Sequence, residues 1–402
     1  MIFMDGVKRI TWLKALVAVS FIVGMFVAHD LWIAGRLYPL MPAFNIFSAI
    51  SFRADYILSS LLIFFLVLAV VAHKPRKYII VSLALIAILF LEDRTRMYPS
   101  FYEYSLLLLA LAWYPWEKGD DRAASPILNC CRLAVACIYF WSGVQKVNPY
   151  FGNQLSWFLL PVTNTLPFLG GAFLRAASVI APILEASIGI ELLFKKTRKF
   201  ALIEALCMHG TIFFLIGPIR GDSNVSAWIW NLCSVAIVLT LFFNEKKAGA
   251  KEILFNPRLG VHYVILAFLG ILPGLSLVNL WDSPLSFNIY SGNYAQAEIY
   301  AVDSLEARLP AELWKYFGPA SPIGTGAGSG IAKLDLDRWA ADEFRSGPYQ
   351  EPDTYKNVAK YFCRYAADPS DVRMLLLDKP TIFEFEKGNT AREIEKYNCA
   401  NL

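Results

Sequence analysis

Hydrophobic residues in this chain fall in long blocks separated by short polar turns. They follow neither the strict alternation of half-buried strands nor the one-sided stripe of soluble helices. A membrane span needs roughly 20 mostly apolar residues, about 17–25 being the usual range. Blocks of that kind lie near 11–28, 54–72, 78–91, 99–115, 127–145, 174–194, 200–217, 226–243 and 260–281. They predict about nine spans, the third being short. The stretch 154–171 is apolar as well, but Pro161, Pro167 and the Gly170–Gly171 pair interrupt it. That pattern predicts one re-entrant or interfacial segment, because irregular backbone at membrane depth must be buried in protein. The expected fold class is an all-α polytopic membrane helix bundle, residues 1–281, followed by a small α+β domain, residues 282–402.

Within the second region, 282–300 is aromatic and alternates like strands. Residues 336–345 and 354–367 have the spacing of amphipathic helices, with Leu336, Trp339, Ala340 and Phe344, then Tyr355, Val358, Ala359 and Phe362, as their apolar faces. Met374–Leu377 followed by Thr381–Phe385 suggests a strand and a turn. The run GTGAGSG at 324–330 lacks the G-x-G-x-x-G spacing of a dinucleotide-binding turn and reads as a flexible turn.

The bases flanking the spans set a direction, since Lys and Arg accumulate on the cytoplasmic side. Lys8 and Arg9 precede the first span. Lys74, Arg76 and Lys77 follow the second, Lys118 and Arg122 the fourth, Lys195, Lys196, Arg198 and Lys199 the sixth, and Lys246, Lys247 and Lys251 the eighth. With nine spans and a cytoplasmic N-terminus all of these loops share one side, and the C-terminal domain is extracytoplasmic. The first span also has the charged start and short apolar run of a signal peptide, with Ala28 as a cleavage point; an uncleaved anchor is the preferred reading.

Composition agrees. The hydrophobic share is 56%, the charged share 17% and the mean hydropathy +0.45, against about 45–50% apolar and 25% charged in soluble domains. This excludes a disordered, nucleic-acid-binding or ordinary cytosolic protein and makes the lipid bilayer the first partner. The net charge of +4 conceals two regions: 284–402 holds 17 of the 33 acids and 13 of the 37 bases, a net −4, which leaves +8 for the rest. Cys130, Cys131, Cys137, Cys207 and Cys233 lie in predicted spans and read as small apolar residues. Cys363 and Cys399 lie in the tail, where an oxidising compartment leaves them free to pair. No cluster has metal-ligand spacing.

Ionisable side chains inside spans are expensive, about 2.5–3.5 kcal/mol each on insertion scales, so each asks for a partner or a purpose. Glu185 and His209 sit at similar depth in the sixth and seventh spans, and a Glu185–His209 hydrogen bond is the expected pairing, either as a polar clamp or as a ligand or proton site. The outer end of the fourth span is crowded, with Asp93, Arg94, Arg96, Tyr98, Tyr102, Glu103 and Tyr104 close together. At the end of the fifth, Tyr139, Ser142, Gly143 and Lys146 fall at i, i+3, i+4 and i+7 on one helix face. Gly143 permits close approach by a helix or a ligand. A lysine facing a dry pocket loses stabilisation of its charged form and can act as a base; a lysine at a span end also snorkels to the interface without any function.

The run YFWSGVQKVN, 139–148, resembles the helix-end signature Tyr-Phe-x-(Ala/Ser)-Gly-x-x-Lys of vitamin K-dependent γ-carboxylases and their bacterial relatives in the HTTM superfamily. LEDRTRMYPSFYEYSLLLL, 91–109, is similar to the preceding span of that group, and Glu185, the basic turn and His209 to a later pair of spans. WIWNLC, 228–233, and YSGN, 290–293, look like pieces of bacterial members. The resemblance covers most of residues 10–300. It implies a bacterial inner-membrane protein in which Lys146 is a catalytic base, His209 belongs to the catalytic core, and a reduced quinone is the cofactor whose oxidation is coupled to proton removal. Asp93, Arg94, Arg96, Tyr102, Glu103, Ser142, Gly143 and Glu185 are the candidate substrate- or cofactor-binding residues. The sequence departs from the carboxylases at Pro99 and Ser100, where they carry an Asn-His pair, and lacks their large lumenal portion. Two functions follow as expectations: a quinone- or lipid-linked enzyme at the outer face, or a non-catalytic maturation or export factor that binds a secreted peptide.

Overall fold

The computed structural model describes residues 5–33, 35–44, 52–165, 170–215, 224–256, 259–320, 330–388 and 390–402. The first two thirds are helical. Helix α1 spans Gly6–Val27, α2 Phe52–Val71, α3 Arg76–Glu92, α4 Pro99–Ala112, α5 Asp121–Gln145, α6 Phe151–Thr165, α7 Ala172–Leu193, α8 Arg198–Phe214 and α9 Val225–Phe242. A short α10, Ala250–Leu254, precedes a last long element made of α11, Gly260–Ile265, a π-helical stretch, Leu266–Ile271, and α12, Leu272–Leu275. Local sequence explains the starts. The Asp5 side chain accepts from the Lys8 N–H at 2.7 Å, Asp120 from Ala123 at 2.8 Å and Asn224 from Ala227 at 3.1 Å, while Pro99 opens α4 where its missing N–H costs nothing.

Among the described residues, six helical elements are long and apolar enough to cross a membrane: Gly6–Val27, Ala54–Val71, Asp121–Gln145, Ala172–Leu193, Val225–Phe242 and Gly260–Val278. The predicted third, fourth and seventh spans form α3, α4 and α8, of 17, 14 and 17 residues. They pack within the bundle, α3 on α2 and α4, and α8 on α7 and α9. Residues 154–171 differ from expectation in one respect: α6 runs through Pro161 to Thr165, and Pro167 lies outside the described residues.

Helix α5 is the central element, packed most extensively against α7. The two come close because each offers a glycine. A Cβ at Gly143 would lie 2.6 Å from the Pro182 carbonyl oxygen and closer still to the Ala186 nitrogen; one at Gly189 would lie 2.7 Å from the Phe140 nitrogen. Small residues that admit a neighbouring backbone are a usual basis for helix association in lipid. On its other side α5 faces the π-helical stretch, whose irregular carbonyls need donors. Trp141 Nε1 donates to the Gly270 oxygen at 3.0 Å, and Gln145 Nε2 donates to that of Pro273, in α12 just beyond the stretch, at 2.9 Å.

The basic turns gather at one end of the bundle. The Val7 N–H donates to Asp121, Lys74 pairs with Glu117 at 3.2 Å, Arg132 with Glu245 at 2.7 Å, and Arg198 donates to the carbonyls of Glu245 and Ala248. The C-terminal region meets the opposite end. There Arg94 pairs with Asp282 at 2.6 Å, the Tyr38 N–H donates to Glu343, and Tyr150 Oη donates to the Thr390 oxygen.

That region contains an antiparallel sheet of β1 (Gln296–Val302), β2 (Phe317–Pro319), β3 (Ile331–Leu334), β4 (Val372–Leu377) and β5 (Ile394–Asn398), in the order β2-β3-β1-β4-β5. Ile299 lies opposite Met374, and Met374 opposite Tyr397. Alternate residues of β4, Val372, Met374 and Leu376, point inward. The remaining helices are α13 (Ala311–Trp314), α14 (Leu336–Phe344), α15 (Pro352–Cys363) and α16 (Ile382–Glu386). The apolar faces read from the sequence of α14 and α15 are buried, with Trp339, Ala340, Val358, Ala359 and Phe362 all fully enclosed. A disulfide joins Cys363 to Cys399.

Two expectations for this region need correction. Residues 283–295 are not strand. They form a buried irregular segment with Phe287 and Tyr290 in the left-handed region, held by bonds such as Asn288 Nδ2 to the Asn293 oxygen at 2.7 Å. The polar side chains Ser286 and Asn288, which bond within the loop, alternate with Leu285, Phe287 and Ile289, which imitates a strand in sequence. Residues 382–386 are a short helix, not a turn, because Thr381 and Glu384 form a reciprocal cap. The glycine run at 324–330 lies, apart from Gly330, outside the described residues.

Candidate functional site

A cavity of about 460 Å³ lies among α4, α5, α6, α7, α8 and α9. Its walls are mainly apolar, with Val135, Ile138, Leu184, Ile188, Ile212 and Ile237 among them, and Ile289 and Tyr290 of the irregular segment roof it. Three polar groupings face this space. Such an enclosure, apolar with a few placed polar groups, has the usual form and size of a small-molecule site.

The first grouping is built on the close contact of α5 and α7. Lys146 Nζ lies 2.8 Å from Glu185 Oε2 and 3.0 Å from Oε1, and also donates to Ser142 Oγ at 2.8 Å and to the Ser142 carbonyl at 3.0 Å. Ser142 Oγ donates to Glu185 Oε1 at 2.6 Å. The i, i+4 spacing of Ser142 and Lys146 places both on the α5 face that meets α7. Gly143, between them, brings Glu185 within reach. Lysine and carboxylate are 11% and 13% exposed, so solvent screens the pair little.

The second grouping joins α5, α8 and α9. Tyr139 Oη and His209 Nε2 are 2.6 Å apart, and His209 Nδ1 and Asn231 Oδ1 are 2.8 Å apart. Asn231 Nδ2 is committed to the Ala227 carbonyl at 2.7 Å. Asn231 Oδ1 therefore accepts, His209 carries its proton on Nδ1, and Tyr139 donates to Nε2. The third grouping joins α4 and α9, where Trp230 Nε1 donates to Glu103 Oε2 at 2.7 Å.

Of the residues singled out from sequence, Glu103, Ser142, Lys146, Glu185 and His209 line this cavity. The expected Glu185–His209 bond is not made: Glu185 turns to Lys146 and Ser142, and His209 to Tyr139 and Asn231. Equal depth in neighbouring helices does not fix which way each side chain faces. Gly143 contacts a helix, α7, and not the cavity. Asp93, Arg94, Arg96 and Tyr102 do not line the cavity either. Asp93 is bound by Arg36 and Thr95, and Arg96 by Asp55 at 2.8 Å and Glu92 at 2.6 Å, all of them buried. Arg94 pairs with Asp282, and Tyr102 Oη donates to the Phe268 carbonyl at 3.3 Å. These four hold the ends of α2, α3 and α4 nearest the C-terminal region to the segments beside them.

Sequence reasoning left Asn231, Trp230 and Glu204 unassigned, although all three line the cavity. A polar Asn in the apolar run WIWNLC and an acid four residues into the seventh predicted span are the signals that point to them. Arg132, buried in α5 and paired with Glu245, was equally legible as a charge inside a span.

No family model, curated protein or solved structure matches the chain.

Proposed function

We propose that the protein is an integral membrane protein of the HTTM, γ-carboxylase-like group, whose central cavity takes a reduced quinone or another lipid and uses Lys146 as a base. The observation that carries this reading is the Lys146–Glu185–Ser142 cluster set in the wall of an otherwise apolar cavity. An amine with a carboxylate at 2.8 Å has a group to which its proton can pass, and the neighbouring hydroxyl at 2.6 Å completes a path for that proton. A quinone fits the enclosure in kind: flat and apolar, with polar groups that the cavity's own donors and acceptors can meet. When bound in reduced form it would supply the electrons of the reaction. His209, fixed by Asn231, holds the Tyr139 hydroxyl in place beside that ligand.

In the full reading the nine apolar blocks all cross a bacterial inner membrane, and residues 1–281 form the transmembrane domain. The N-terminus is cytoplasmic, and 282–402 form the extracytoplasmic domain. The gathering of every basic turn at one end of the bundle, with the sheet at the other, supports that arrangement. A disulfide in the C-terminal region agrees with an oxidising compartment. The alternative, a non-catalytic factor for a secreted peptide, has less behind it, because Ile289 and Tyr290 roof the cavity on the side of the sheet.

Mass spectrometry of the lipids and small molecules that co-purify in mild detergent tests this. The wild type is expected to retain a discrete quinone or lipid that Lys146→Ala loses. Identical bulk phospholipid in both would sink the ligand-site reading and move peptide maturation ahead of it.

A further inference from the structure

Among the described residues from Asp282 onward, three large apolar side chains are left exposed: Ile382, Phe383 and Ile394. They are not scattered. Ile382 and Phe383 open α16, and Ile394 lies opposite Leu377, at the end of β4 from which the chain runs on to Lys379 and α16. That end of the sheet is fastened to the bundle. Lys379 Nζ donates to the carbonyl and hydroxyl oxygens of Ser276, both at 2.6 Å, and Asn279 Nδ2 donates to the Lys379 carbonyl at 2.7 Å. Ser276 lies in the last turn of the apolar element Gly260–Val278, and α16 packs on that same turn. Thr381 and Glu384 cap α16 reciprocally, which fixes how it leaves the pinned lysine. Phe385 is covered by the bundle, its ring 5.9 Å from that of Tyr150. Ile382 and Phe383 have no such cover and are 47% and 59% exposed.

We propose that α16 is a membrane-contact element: Ile382 and Phe383 enter the bilayer interface where the last span ends, so that the C-terminal region rests on lipid as well as on the bundle. The inference rests on the reading of Gly260–Val278 as a span and adds a lipid contact outside the spans. Exposed apolar side chains grouped in this way mark a protein or a membrane interface, and the surroundings choose the membrane. Ile271 and Leu275 are exposed along the last apolar element, and Leu280, just past its end, is 71% exposed. Ile382 and Phe383 therefore continue a surface that already faces hydrocarbon. Depth agrees with this. Because α16 packs on the last turn of the span, its first residues sit where hydrocarbon gives way to headgroups. The charged residues Glu386 and Lys387 come one helical turn later and are exposed. An apolar first turn followed by charges suits a layer with hydrocarbon on one side and water on the other. Lipid contact takes the two side chains out of water, which is favourable without any partner protein.

Photocrosslinking on the full-length protein in nanodiscs tests this. The photoreactive residue p-benzoylphenylalanine is placed singly at Phe383, Ile382, Ile271 and Arg338, and the adducts are identified by mass spectrometry. Ile271 monitors the span itself, and Arg338, exposed on α14, gives the background. Phe383 and Ile382 are each expected to give lipid adducts at least tenfold above that background, and such adducts at either position support the proposal. Lipid adducts at background level at both, or adducts only to another protein segment at both, overturn the inference, while lipid adducts at Ile271 leave the span reading standing. Background at Ile271 as well overturns both readings. All four side chains are exposed, so the replacements disturb little packing, and the two positions on α16 keep the test decisive if one variant fails to fold.

Discussion

Lys146 at the end of α5 and Glu185 on α7 meet at 2.8 Å beside Gly143, a position where the α7 backbone leaves no room for a Cβ. The ion pair and the helix contact are one structural unit, and each depends on the other.

Removing either partner leaves the other charge in a dry wall. Breaking a buried pair in this way costs about 3–5 kcal/mol. Lys146→Met and Glu185→Gln should each lower the detergent unfolding temperature, and the double variant should recover most of the loss. A double-mutant cycle on thermal unfolding measures the coupling, and additive losses would show that the pair contributes nothing to stability. Lys146→Arg separates structure from chemistry: it should keep the fold and the charge while losing any base-dependent activity, since arginine does not give up its proton.

The glycines at the α5–α7 crossing admit no methyl group. Gly143→Ala and Gly189→Ala should each destabilise by about 1–3 kcal/mol through overpacking, and Gly143→Ala should also weaken ligand retention by parting Lys146 from Glu185. Gly210 has open space around its Cβ position and serves as the control. Its alanine variant should unfold like the wild type.

The disulfide between Cys363 and Cys399 ties the end of α15 to the residue that follows β5, across 36 positions. Closing a loop of that length stabilises by about 3–4 kcal/mol in the chain-entropy account. The Cys363→Ala, Cys399→Ala double variant should therefore show faster limited proteolysis within 296–398 and unchanged cleavage in the turns of the bundle.

The junction of sheet and last helix should be sensitive to pH. Lys379 Nζ donates to the Ser276 carbonyl and hydroxyl, both at 2.6 Å, and burial lowers its pKa to about 8. Burial, followed by the nearby Asp282 charge, raises Glu351 to about 7. For Glu351 the folded state holds its proton up to about pH 7 while the unfolded chain releases it near 4, so stability falls as pH rises between those values. For Lys379 the folded state gives up its proton near 8 and the unfolded chain near 10, so stability rises over that window. A shallow minimum at pH 7–8 is expected in the unfolding temperature. Glu351→Gln should flatten the acid limb and Lys379→Met the alkaline one, and a profile unchanged in both variants would sink this account.

The sequence carried the apolar blocks, the grouping of the basic turns at one end and the faces of α14 and α15, because each of these is a local pattern. Ser142 and Lys146 were legible for the same reason, lying one helical turn apart. That Asp93 and Arg96 turn away from the cavity was not legible, because their partners, Arg36 and Asp55, lie about 40–60 residues away. A charge cluster at a helix end looks the same in sequence whether it serves a ligand or a neighbouring helix. Glu185 went to the wrong partner because hydropathy gives depth but not azimuth. The azimuth of α7 is set by Gly143 and Gly189, and their effect appears only when the two helices are packed together.

The roof of the cavity and the sheet belong to one continuous stretch of chain, with Tyr290 only six residues before the first residue of β1. Arg392, just ahead of β5, grips that connection by donating to the carbonyls of Gly292 and Tyr294 at 2.7 Å. A displacement of the sheet is thus passed to Tyr290 through a short, pinned tether. Residues outside the bundle that line no part of the cavity thereby set how tightly it is enclosed, and Arg392→Ala should loosen retention of any bound ligand while every cavity side chain stays intact.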